Sequence, residues 1–186
     1  MGIGNRGWRG WALGTVLAAL AGCASAPHVP LPPAPVVDLP RFMGDWYVIA
    51  CIPTPIERDA VDAVESYRLD PDGTVATTFH YRKGTSDGLL KVYHPRGFVR
   101  PGTGNAVWGM RFLWPIEADY RVLAVSPTYE WTVIGRAARD YAWIMARQPV
   151  MSPADYAAAE QVMTAAGYRV SELRHIPQTP LAARQP

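Results

Sequence analysis

From residue 45 to residue 147, apolar and aromatic side chains recur at every second position, and each run ends in a cluster of Gly, Pro, Asp or Ser. Period two marks strands that bury one face. Eight strands are predicted: Asp45–Ile52, Ala63–Leu69, Thr74–Arg82, Leu89–His94, Ala106–Leu113, Tyr120–Val125, Trp131–Gly135 and Tyr141–Arg147. Turn chemistry separates them at Asp70-Pro71-Asp72-Gly73, Lys83-Gly84, Asp87-Gly88, Pro101-Gly102-Thr103-Gly104 and Ser126-Pro127. Links this short join neighbouring strands in an antiparallel meander.

The period then changes. Ser152-Pro153-Ala154-Asp155 supplies an N-cap, a proline at the first helical position and an acid at the third, while Tyr156, Ala159, Val162, Met163 and Ala166 share one face and Gly167 stops the run. The prediction is an all-β fold, an eight-stranded antiparallel up-and-down barrel with one C-terminal helix packed outside. Such a barrel has room for one small ligand. A β-sandwich is the alternative, because strand number alone does not separate the two.

The first residues read as an address. Arg6 and Arg9 precede an apolar run from Trp11 to Leu20, shorter than the roughly 20 residues a bilayer-spanning helix needs. Leu20-Ala21-Gly22-Cys23 resembles a bacterial lipobox, which implies cleavage before Cys23 and acylation of its thiol; buried acyl chains contribute about 0.8 kcal/mol per CH₂ to membrane attachment. An ordinary signal peptide cut near Ala24-Ser25-Ala26 is the alternative. Residues 1–22 are therefore expected to be a lipoprotein signal peptide, residues 23–37 a lipidated cysteine and Pro-rich tether, and residues 38–186 the folded domain. Ala24 after the cysteine, by resemblance to bacterial sorting rules, implies a lipid-anchored protein of the outer membrane facing the periplasm.

Charge narrows the partners. The chain carries 18 basic and 16 acidic residues, and loss of the leader with its two arginines leaves 16 of each. A neutral protein lacks the phosphate-neutralising surface on which nucleic-acid affinity depends. His28, His80, His94 and His175 and the two cysteines show no zinc-like spacing, and no nucleotide or nucleophile-elbow motif occurs. No metal, no cofactor and no nucleic acid is expected, and the sequence leaves a homodimer open.

Gly44-Asp45-Trp46-Tyr47, after Leu39-Pro40-Arg41-Phe42-Met43, resembles the G-x-W signature at the start of the first strand of the lipocalins. The block Tyr67 to Thr74 is similar to their second hairpin, Tyr120 to Tyr129 to the block before their seventh strand, and Tyr141 to Pro149 to their last strand with its closing R-x-P. These blocks occur in order from Leu39 to about Gln178. With the lipobox, the resemblance is strongest to the outer-membrane lipoprotein branch of the family, relatives of apolipoprotein D. It implies a binding protein rather than an enzyme, whose apolar cavity takes a lysophospholipid, a fatty acyl chain or another hydrophobic molecule for storage or transport in the cell envelope. Gly44, Trp46 and Arg147 are the structural motif residues, and the guanidinium of Arg147 is expected across the Trp46 indole.

The resemblance places Trp46 inward, and strand alternation then assigns the other faces. Val48 and Ala50 are expected inward and Cys51 outward. Glu65, Tyr67, Thr77, Phe79, Tyr81, Trp108, Met110, Phe112, Tyr120, Val122, Tyr141, Trp143 and Met145 become the candidate ligand-binding residues, with Ala50, Thr77 and Ala124 leaving room. This lining holds one carboxylate and no Lys or Arg. The competing reading is that these side chains fill a solid core. A register error of one residue would put Glu65 in solvent. A lipocalin-fold enzyme of the isomerase or de-epoxidase type, using Glu65 with Tyr67 and Tyr81, is the alternative function. Cys51 is expected to be a shielded, passive thiol without cationic neighbours.

Overall fold

Asp38 accepts a hydrogen bond from the Arg41 amide and starts α1 (Leu39–Phe42), a single turn that carries Phe42 under the first barrel strand. The computed structural model describes Met1, Leu31, Pro32 and residues 34 to 179. The lipobox, Cys23 and most of the expected tether lie outside the described residues.

Among the described residues ten strands follow: β1 (Gly44–Ile52), β2 (Ala60–Leu69), β3 (Val75–Lys83), β4 (Leu90–Tyr93), β5 (Arg96–Val99), β6 (Val107–Leu113), β7 (Ile116–Val125), β8 (Trp131–Gly135), β9 (Ala142–Ala146) and β10 (Arg174–His175). Every pairing is antiparallel, and β1 pairs with both β2 and β9, which closes the barrel. The fourth wall position is shared. β4 pairs with the upper half of β3 and β5 with its lower half and with β6. The break falls at His94-Pro95, where proline removes a ladder donor. The wall is thus the predicted eight-stranded barrel. β5 and the short β10, which adds to the outside of β1 after the helix, have no counterpart among the expected strands.

Helix α2 (Pro153–Ala165) packs outside, as its sequence face predicts. Ala159, Met163 and Ala166 are buried with Ile49, Ala50, Ile52, Val133, Ile144 and Tyr168 in a layer separate from the barrel interior. The helix is fixed at its start: Ser152 Oγ accepts from the Asp155 amide at 3.1 Å, and Asp155 also accepts from the Trp131 indole at 3.2 Å.

Two bulges alter the expected parity. Val48 pairs with Met145 but Ala50 with Ile144, so Ile49 is an extra residue in β1. Beyond it Ala50 turns outward beneath α2, and Cys51 turns into the barrel interior; both assignments reverse those from simple alternation. Leu123 is the extra residue in β7, and it is Val125, rather than Ala124, that packs against the interior cluster.

The two ends of the barrel differ. At the floor the rings of Phe42, Trp46, Tyr67, Trp108 and Tyr120 pack with adjacent centroids 5.1 to 6.3 Å apart. Arg147 lies over the Trp46 indole at 3.7 Å and donates to the carbonyls of Asp45 (2.8 Å) and Arg41 (2.7 Å). At the other end the β6–β7 hairpin exposes Phe112, Leu113, Trp114 and Ile116, and Leu89 and Leu90, where β4 begins, are exposed as well.

Candidate functional site

Above the packed floor the barrel encloses a cavity of about 290 Å³ that opens between the β1–β2, β6–β7 and β8–β9 connections. Of the candidate residues, Glu65, Phe79, Met110, Phe112, Tyr120, Tyr141 and Trp143 line it. Tyr67, Thr77, Tyr81, Trp108, Val122 and Met145 are buried without lining it; most belong to the packed interior below. Cavity and solid core therefore coexist at different heights along the same strands.

The polar half of the site contains groups that alternation could not find. Glu57 sits in the loop between β1 and β2 and is only 5% exposed. Its carboxylate accepts from the Thr54 amide (2.9 Å), the Thr54 hydroxyl (2.5 Å) and the Trp143 indole N–H (2.8 Å). The sequence signal was faint: a carboxylate three residues after a threonine in a short Pro-bounded loop. Asp119 and Arg136 also reach the lining, so the expectation of one acid and no base is corrected. Arg136 escaped notice because it follows the last residue of β8, where strand parity no longer applies. Each of these two is already paired, Asp119 with Arg121 (2.9 Å) and Arg136 with Asp140 (3.2 Å).

Glu65 faces the cavity from the middle of β2. Tyr67 donates to its carboxyl, and the Tyr67 and Tyr120 hydroxyls are 2.6 Å apart. Its remaining exposure is to the cavity rather than to the outer surface. Burial, reinforced by the nearby Glu57 carboxylate, pushes Glu65 up to about 8, so it is mostly protonated at neutral pH. Burial also raises Tyr120 well above the ordinary tyrosine value, with the Glu65 charge adding to the effect. Tyr81, which donates to the Ile56 carbonyl at 2.6 Å, is pushed up to about 12, first by burial and then by its hydrogen bond with Tyr93. The structure brings Glu65 and Tyr67 together and commits Tyr81 elsewhere.

Cys51 points inward as a neighbour of Trp143 across the β1–β9 ladder. Arg174 lies close enough to hydrogen-bond its thiol, which corrects the expectation that no cation is nearby. Burial and the Glu57 charge outweigh that guanidinium and push the thiol up to about 12. Among the described residues, no group of three or more His, Cys, Asp or Glu is arranged to hold a metal ion.

Residues 37–178 match the family model described as a lipocalin-like domain. The chain is a lipocalin. Temperature-induced lipocalin-1 of Arabidopsis thaliana is 30% identical to it over 155 residues, covering 77% of this chain and 80% of that protein. Outer membrane lipoprotein Blc of Escherichia coli strain K12 is 25% identical over 154 residues, 80% of this chain and 86% of the relative. Among solved structures, insecticyanin of the tobacco hornworm Manduca sexta superposes with a TM-score of 0.65 at 17% identity, over 84% of this lipocalin and 88% of that chain. At that identity the likeness concerns the fold.

Proposed function

We propose that this lipocalin holds one small hydrophobic or amphiphilic molecule, such as a lysophospholipid or acyl compound, for storage or transport in the bacterial envelope. The observation that carries the reading is the cavity, with Phe79, Met110, Phe112, Tyr120, Tyr141 and Trp143 around a few polar groups, the usual composition of a small-molecule site. The apolar hairpin tip at the mouth supports exchange with lipid. Lipobox-like residues Leu20 to Cys23 and the outer membrane lipoprotein relatives support an anchor on Cys23, with residues 1–22 removed, residues 23–37 as tether and the barrel on the periplasmic side. The protein acts by binding, without a cofactor.

Native mass spectrometry of the protein released from its own membrane tests both halves of the proposal. The expected result is a polypeptide beginning at residue 23, heavier by its acyl groups, with one co-purifying amphiphile that leaves on activation. An unacylated chain would overturn the anchor. A barrel that is empty and whose Trp fluorescence ignores added monoacylglycerol would overturn the carriage.

A further inference from the structure

The cavity walls carry an imbalance of charge partners. Four ionisable side chains with acidic or basic character line it, and two of them, Asp119 and Arg136, are neutralised by their own partners outside the cavity. Glu57 and Glu65 are different. Neither forms an ion pair among the described residues. Glu57 is held by neutral donors, Thr54 and the Trp143 indole, and Glu65 by the Tyr67 hydroxyl alone. Two carboxyl groups thus share one poorly solvated chamber with no ion pair to either; the guanidinium of Arg174 donates to the main-chain carbonyl of Glu57 (2.7 Å), not to its carboxylate, so a bound positive charge would relieve both. The remaining walls favour the same guest, because Phe79, Tyr120 and Trp143 present aromatic rings, whose faces attract cations, while the Tyr141 ring already carries the Arg136 guanidinium at 5.3 Å.

From this we infer that the site recognises a protonated amine carrying an apolar body, with its ammonium group between Glu65 and Glu57 and its chain along the aromatic wall toward the mouth. The inference rests on the carriage reading above and names its ligand class. A volume of about 290 Å³ corresponds to roughly ten waters, enough for a head group and a short chain. An ammonium supplies the donors that two carboxylates lack. A carboxylate ligand adds a third like charge, and an alcohol supplies one neutral donor.

Protons must balance when such a ligand enters. Glu65 is largely in its acid form at neutral pH, whereas an alkylammonium keeps its proton up to about pH 10. Forming the ammonium–carboxylate contact therefore transfers the Glu65 proton to solvent. The other titratable groups facing Glu65 are Tyr67 on its own strand, Tyr120 and Asp119 on β7, Glu57 in the β1–β2 loop, and Tyr141 and Arg136 between β8 and β9. The Tyr120 hydroxyl stays protonated throughout this range.

Isothermal titration with octylamine, octanol and octanoate compares three charge states on one chain. At pH 8 octylamine should bind at least about tenfold more tightly than octanol, as expected for a hydrogen bond to a charged partner, and octanoate most weakly. Between pH 5.5 and 7.5 octylamine affinity should rise by up to about tenfold per pH unit, with proton release visible as a buffer-dependent heat. Glu65→Gln should abolish the pH slope and most of the preference for the amine; should that variant not fold, Glu57→Gln should reduce the preference several-fold. If octanol binds but octylamine binds no better, or the preference survives in Glu65→Gln, the amine assignment is wrong while carriage stands. Failure of all three ligands to bind would overturn carriage as well.

Discussion

Glu65 is where a single residue most affects the behaviour of the protein. Its carboxyl titrates near 8 in the folded chain and near the ordinary 4.5 when unfolded, so between these values the folded state binds the extra proton. Stability contributed by this group is consequently complete at low pH and falls as pH rises through that interval. Because the carboxyl opens onto a cavity instead of close-packed atoms, the loss is set at about 1 to 3 kcal/mol. Urea unfolding at pH 5 and pH 8 should show the parent protein losing this amount relative to Glu65→Gln. Parallel behaviour of the two proteins would mean that the group is solvated. The position of Glu65 was legible in sequence because no bulge separates it from the hairpin at Asp70 to Thr74 that fixes its register. Cys51 was misread for the opposite reason, one extra residue at Ile49 lying between it and the Trp46 reference.

At the scale of elements, strands and helix were legible wherever burial has one side. Period two of burial survives along β3, which has one buried face, whereas β9 is covered on both sides, by the interior and by the α2 layer; the α2 face was readable because only one stripe of the helix meets the barrel. β5 was not readable, since Arg96-Gly97-Phe98-Val99 is short and follows a proline. The loop carrying Glu57 had no period to read at all, which is why half of the polar site was missed. The start of α2 combines three devices on few residues: the Ser152 cap, Pro153 in the first turn and the Asp155 link to Trp131 on the barrel. Ser152→Ala should cost about 0.5 to 2 kcal/mol, measured as a lower urea midpoint without a change of slope. No loss would mean that Asp155 and the packing of Met163 hold the helix without its cap.

For the molecule as a whole, closure depends on a contact between the two ends of the wall. Arg147 follows β9, Trp46 lies in β1, and the guanidinium joins them by stacking and by bonds to carbonyls of Asp45 and Arg41, the latter in α1. A lysine ammonium has neither the plane nor the fork to make these contacts together. Arg147→Lys should lower unfolding free energy by about 1 to 3 kcal/mol, and Arg147→Ala by at least as much. Equal denaturant midpoints for the parent and both variants would show that the floor is closed by packing alone.

That floor also decides the order of events for anything lodged above it. The ring cluster from Phe42 to Tyr120 leaves no passage through the barrel, so the chamber behaves as a cup rather than a tube. Arrival and departure use one doorway, and a newcomer cannot displace the resident from behind. Exchange must be sequential, with vacancy first, and the rate at which one guest replaces another is capped by how fast the first one leaves.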